Sequence, residues 1–170
     1  MGSSVRFPSS EDIKKRIIDA IVALYRYDYE LIDKNANERS ITHKLAEHLQ
    51  KEFPYWHVDC EYNRYGNETK KLLNSERVFP DIIIHHRGKD ENLVVIEAKK
   101  QFDRSSISTK KDEKKLKKFS EDPHYKYQYA FLLIISERNP TLKRYIQEND
   151  KWDDWSQSLK KILKEIVYGE

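Results

Sequence analysis

The chain has 170 residues, 32 of them Lys or Arg and 29 Asp or Glu, for a formal net charge of +3. That length predicts one domain, since roughly 100–200 residues per domain is usual. Hydrophobic residues at 38% and aromatics at 12% exclude disorder, and the longest apolar run, Ala130 to Ile135, is too short to cross a membrane.

The first helix is expected from Ser10 to Leu31, capped by Ser10, with Ile13, Ile17, Ala20, Ile21, Leu24 and Leu31 on one face. A second helix is expected from Glu38 to Phe53, with Asn37 as its cap, Ile41, Leu45, Leu49 and Phe53 as its stripe, and Pro54 closing it. His57 to Asn63 alternates as a strand should, and the polar stretch Arg64 to Glu76 reads as a loop. Two runs rich in Ile and Val follow, Val78 to His86 and Asn92 to Lys99, joined by RGKDE as a hairpin. A lysine-rich helix spans Thr109 to Ser120. Tyr127 to Ser136 is apolar enough for a central strand, and a last amphipathic helix covers Asp153 to Val167. The order is α-α-β-β-β-α-β-α, one mixed α/β domain.

The hairpin carries the chemistry. Centred on Lys89, it opposes residues whose numbers sum to 178, pairing His85 with Leu93, Ile83 with Val95 and Asp81 with Glu97. Directly opposed carboxylates repel, and Lys99 points to the same face as both. A divalent cation would relieve that repulsion, because hard cations such as Mg²⁺ are held by one or two carboxylates with waters and phosphate. An ordinary ion pair of Asp81 with Lys99 at a strand end is the competing explanation.

FPDIIIHHRGKDENLVVIEAKK resembles the PD-(D/E)XK nuclease signature: Pro80-Asp81, fifteen residues, then Glu97-Ala98-Lys99. The surrounding order α-β-β-β-α-β is the common core of that superfamily, over about residues 38–136, with the helices near 10–31 and 153–167 as additions. The resemblance implies a restriction-endonuclease-like α/β fold with a mixed sheet, and metal-dependent phosphodiester hydrolysis, on DNA before RNA. It implies that Asp81, Glu97 and the Ala98 backbone carbonyl bind Mg²⁺ (Mn²⁺ as a substitute) and that Lys99 is the catalytic lysine. Glu38 is the best match for a further glutamate from the first core helix, with Glu47 as its competitor.

TKKDEKKLKKF invites two explanations, a solvated face or a surface that neutralises nucleic-acid phosphates. Of its lysines, Lys115 is expected to face the site, with Lys111 and Lys114 as further contacts. Asp59 and Glu61 share one face of their strand, expected outward and polar, with one of them supplementing a metal shell as the alternative, and one of His85 and His86 is expected packed. Cys60 is expected as a small apolar residue, and Tyr125, Tyr127 and Tyr129 as packing rather than base-stacking groups.

Several classes fall away. One cysteine excludes an internal disulfide framework and fits a cytoplasmic location. Four scattered glycines exclude a P-loop or Rossmann fingerprint, and MGSSVRFPSSEDIKKR lacks the apolar segment of a secretory signal. No membrane partner is expected. A second copy of the chain or a larger complex as partner stays open, as does a non-catalytic nuclease-fold module binding nucleic acid or protein.

Overall fold

Ser9, one residue earlier than expected, starts the first helix, α1 (Ser10–Tyr27). Its hydroxyl accepts the Asp12 N–H while the Asp12 carboxylate accepts the Ser9 N–H, a reciprocal cap. The computed structural model describes residues 7–62, 64–65, 68–69, 79–101 and 109–170. Helix α1 ends at Tyr27, short of the expected Leu31. Asp28 leaves helical geometry (φ −125°, ψ 20°), its carboxylate 2.6 Å from the ring of buried His48, and a short helix α2 (Tyr29–Asp33) follows. Helix α3 (Glu38–Glu52) starts where predicted, the Asn37 side chain accepting the Ser40 N–H at 2.8 Å.

The strands are β1 (His57–Cys60), β2 (Arg64–Tyr65), β3 (Glu68–Thr69), β4 (Ile82–His86) and β5 (Glu91–Lys100). After α4 (Lys110–Glu121) come β6 (Tyr129–Ile135), β7 (Thr141–Ile146), β8 (Lys151–Asp154) and α5 (Ser156–Leu163), which ends in a π-helical turn at Lys164–Tyr168. Six strands form one mixed sheet in the order β1-β4-β5-β6-β7-β8, with β5 and β6 parallel and the other neighbours antiparallel. The sequence α3-β1-β4-β5-α4-β6 gives the predicted α-β-β-β-α-β order, and the helix-flanked mixed sheet is consistent with a restriction-endonuclease-like fold.

Other expectations also need correction. Residues 64–65 and 68–69 pair as a small ladder rather than lying in a simple loop; residues 66–67 and 70–76 of that loop, and Val78, lie outside the described residues. The hairpin register shifts between Ile84 and His85, so His85 faces Asn92 instead of Leu93, and the turn holds residues 87–90. Gly88 takes φ +74° in that turn, a conformation costly for side chains with a Cβ. The last helix begins at Ser156, because residues 151–154 pair with β7. That strand pair places Lys143 opposite Asp154 and Arg144 opposite Asp153, and such opposite-charge pairs support a sheet edge.

The sheet buries both faces. Ile82, Ile84, Val94, Ile96, Phe131, Leu133 and Ile135 join the larger core with α1, α3 and α5. Ile83, Val95 and Leu132 face Leu116 and Phe119 of α4. Each fully buried side chain of this size contributes about 1.5–3 kcal/mol relative to exposure. Tyr125 and Tyr127 pack on Phe119 with ring centroids 5.6 and 5.8 Å away, so they are core residues. Among the described residues no helix is long and apolar enough to cross a membrane.

Candidate functional site

Alternation along β5 sends Val95, Glu97 and Lys99 to the α4 face. The ladder from Ile84–Val94 to Ile82–Ile96 keeps the predicted register, which brings Asp81, just before β4, level with Glu97. Pro80 is buried beside it. The Asp81 carboxylate accepts the Ala98 N–H at 2.8 Å. A strand residue's N–H and C=O lie on the same edge, so the Ala98 carbonyl faces the same gap, beyond the last β4–β5 pair.

Helix α4 closes the α4 face with two residues three apart, Asp112 and Lys115. The Lys115 ammonium lies 2.8 and 2.9 Å from the Glu97 carboxylate oxygens and 2.7 Å from the Phe79 carbonyl oxygen. The Lys99 ammonium lies 2.8 Å from Asp112 Oδ2. Asp112 was not singled out from the sequence. Its signal was present: Asp112, Leu116 and Phe119 share the i, i+4, i+7 face that a packed helix turns to the sheet.

The acids here are electrostatically uncomfortable. Glu97 is 3% exposed, and burial, then the Asp81 charge, push its carboxyl up to about 8 although Lys115 opposes them. Burial also raises Asp81, against the Ala98 N–H bond and the Lys115 charge, with Glu38 and Asp112 adding repulsion.

Glu38 reaches the site from the opposite layer, around the end of β5. Its carboxylate accepts the Lys100 N–H at 3.0 Å, while the Lys100 ammonium binds the Asn35 side chain at 2.6 Å and the Ala36 carbonyl at 2.5 Å. These bonds seat the N-terminus of α3 against the strand. Glu47 pairs instead with Lys44 and His43 on the exposed side of α3. Lys111 and Lys114 are exposed, whereas Lys115 is turned inward.

The remaining candidates serve structure. Asp59 bonds His85 at 2.8 Å and Arg87 Nε at 2.8 Å; Glu61 pairs with Arg39. His85 is buried; the partly buried His86 ring stacks on Trp56 with centroids 4.0 Å apart. Burial raises the Cys60 thiol to about 11, which suits a packed residue rather than a nucleophile.

Among the described residues no three His, Cys, Asp or Glu side chains already form a metal cage. The donor chemistry still fits a hard divalent cation. Glu97 Oε1 and Asp112 Oδ2 are buried without a hydrogen bond of proper geometry, each with only an ammonium close by, and Asp81 and the Ala98 carbonyl add oxygens at the same gap.

No protein-family model and no curated protein matches the chain. A similar solved structure is a cryoEM structure of a DrdV–DNA complex, 16% identical over 93% of this chain with a TM-score of 0.44. This chain spans 14% of the length of that one.

Proposed function

We propose that the chain is a metal-dependent nuclease of the PD-(D/E)XK type that hydrolyses phosphodiester bonds in DNA. The observation that carries this reading is the grouping of Asp81, Glu97 and Asp112 with Lys99 and Lys115 at the open end of an otherwise apolar hairpin. Asp81, Glu97 and the Ala98 carbonyl would hold Mg²⁺ or Mn²⁺. Such a cation, when bound, polarises a phosphoryl oxygen and lowers the pKa of water. Lys99 donates a hydrogen bond to the attacking water, or to the phosphoryl oxygen on which charge grows, and Asp112 aims its ammonium. Glu38 adds a carboxylate at the same strand end. The exposed Lys111 and Lys114 neutralise backbone phosphates flanking the scissile bond.

The test is cleavage of plasmid, single-stranded and branched DNA with Mg²⁺ or Mn²⁺ by wild type, Asp81→Asn and Lys99→Ala. Metal-dependent cutting should vanish in Asp81→Asn and fall steeply in Lys99→Ala. A fully active Lys99→Ala would overturn the lysine's role.

A second reading is favoured by one observation, that Glu97 and Asp112 each already have an ammonium at 2.8 Å. On that reading the cluster is a structural ion-pair network, and the chain is a non-catalytic module binding nucleic acid or protein. Calorimetric titration decides between them, because a structural network should show no specific Mg²⁺ or Mn²⁺ affinity.

A further inference from the structure

Lys115 is coordinated as a small cation would be. Three oxygens surround its nitrogen: both carboxylate oxygens of Glu97, at 2.8 and 2.9 Å, and the Phe79 carbonyl at 2.7 Å. Lys99 differs, because its ammonium rests on Asp112. We infer that Lys115 is a built-in counter-ion of Glu97 that a divalent cation must displace, and that the displaced ammonium then serves a phosphate oxygen of the substrate. The inference rests on the nuclease reading and adds to it a coupling between metal loading and substrate binding.

Three arguments support the exchange. Glu97 is 3% exposed, and its buried carboxylate, once ionised, is costly without a partner, so the metal-free protein keeps an ammonium against it. A divalent ion and an ammonium repel each other, so they compete for the same carboxylate oxygens. Lysine carries a compact charge on a flexible four-carbon stem. Its neighbour Leu116 is fully buried and fixes that turn of α4, so the ammonium can move while the helix stays in place. The Lys115 side chain is 21% exposed, enough to reach the mouth of the site, where Phe79 is half-exposed.

The decisive experiment is reductive methylation of wild-type protein, read lysine by lysine by mass spectrometry, with no divalent ion, with Mg²⁺ or with Ca²⁺. Saturating ion should raise Lys115 modification about fivefold, the lower end of typical coupling between linked sites. Lys100, bonded to Asn35 and Ala36, should stay constant. In a parallel calorimetric titration in alkaline buffer, Lys115→Met, with no ammonium to displace, should bind Mg²⁺ about fivefold more tightly than wild type. If Lys115→Met does not fold, the wild-type methylation alone decides. Ion binding by wild type with Lys115 still protected overturns the displacement and leaves the nuclease reading intact. Absence of ion binding by wild type overturns both.

Discussion

A well-hidden carboxylate lies near each end of the β4–β5 hairpin, Asp59 of the adjacent strand β1 at the closed end and Glu97 of β5 at the open end, and the two are treated in opposite ways. At the closed end Asp59, 15% exposed at its side chain, pays for desolvation with bonds from Arg87 and His85, and its carboxyl ends below the usual range. At the open end Glu97 has Lys115, but it also has Asp81 and Asp112 as neighbours, and it is raised to about 8. One end is an ion network that satisfies its charges. The other keeps an excess of anionic oxygen against burial, which is stability given up at a place where a cation or a substrate can recover it.

Removing a cation at the open end or at the closed end should therefore affect different observables. Lys99→Ala should reduce DNA cleavage by about 10²–10³-fold, the usual loss for one electrostatic donor, with the melting temperature nearly unchanged. Arg87→Ala should leave cleavage intact. A Lys99→Ala enzyme that retained full activity, or an Arg87→Ala enzyme that lost it, would erase the distinction between the ends.

Stability should show the reverse. Asp59→Asn removes the charge and one acceptor oxygen facing two partners and should cost about 1–2 kcal/mol at neutral pH in urea unfolding, since hydrogen bonds to charged groups contribute at that level and Arg87 is half exposed. Glu97→Gln, measured in chelator at alkaline pH, should cost less than Asp59→Asn or even stabilise, because it removes a charge that the fold disfavours.

The sequence made the open end legible because the apolar register runs without interruption from Ile82 to Ile84 against Val94 to Ile96, and this fixes Asp81 against Glu97. The closed end was read one residue out: the register shift at His85 follows from bonds to Asp59 and from the turn, neither of which has a hydrophobic signature. Strands β7 and β8 escaped for a related reason. TLKRYI and KWDD place Lys, Arg and Asp residues opposite one another toward the sheet edge, where charge is common and periodicity is weak. Asp112 was hidden among six lysines, and its value appears only when α4 docks and puts it 2.8 Å from Lys99.

The most direct comparison of the two ends is the pH dependence of unfolding in chelator. Between 4.5, the ordinary glutamate value, and about 8, the folded chain holds a proton on Glu97 that the unfolded chain has released. Stability should therefore fall as pH rises through that window, and Glu97→Gln should flatten the slope. Asp59 has the opposite sign: its folded value lies below the ordinary 3.8, so the unfolded chain binds the proton first. Its contribution is complete above that ordinary value and is lost as pH falls through the lowered one, so the Asp59→Asn deficit seen at neutral pH should shrink in acid. Added Mg²⁺ should counter the loss at alkaline pH, where it competes for the ionised Glu97, and leave the acid limb unchanged. An alkaline slope that Glu97→Gln leaves untouched would place the strain on some other group and remove the electrostatic argument for a cation at this end of the hairpin.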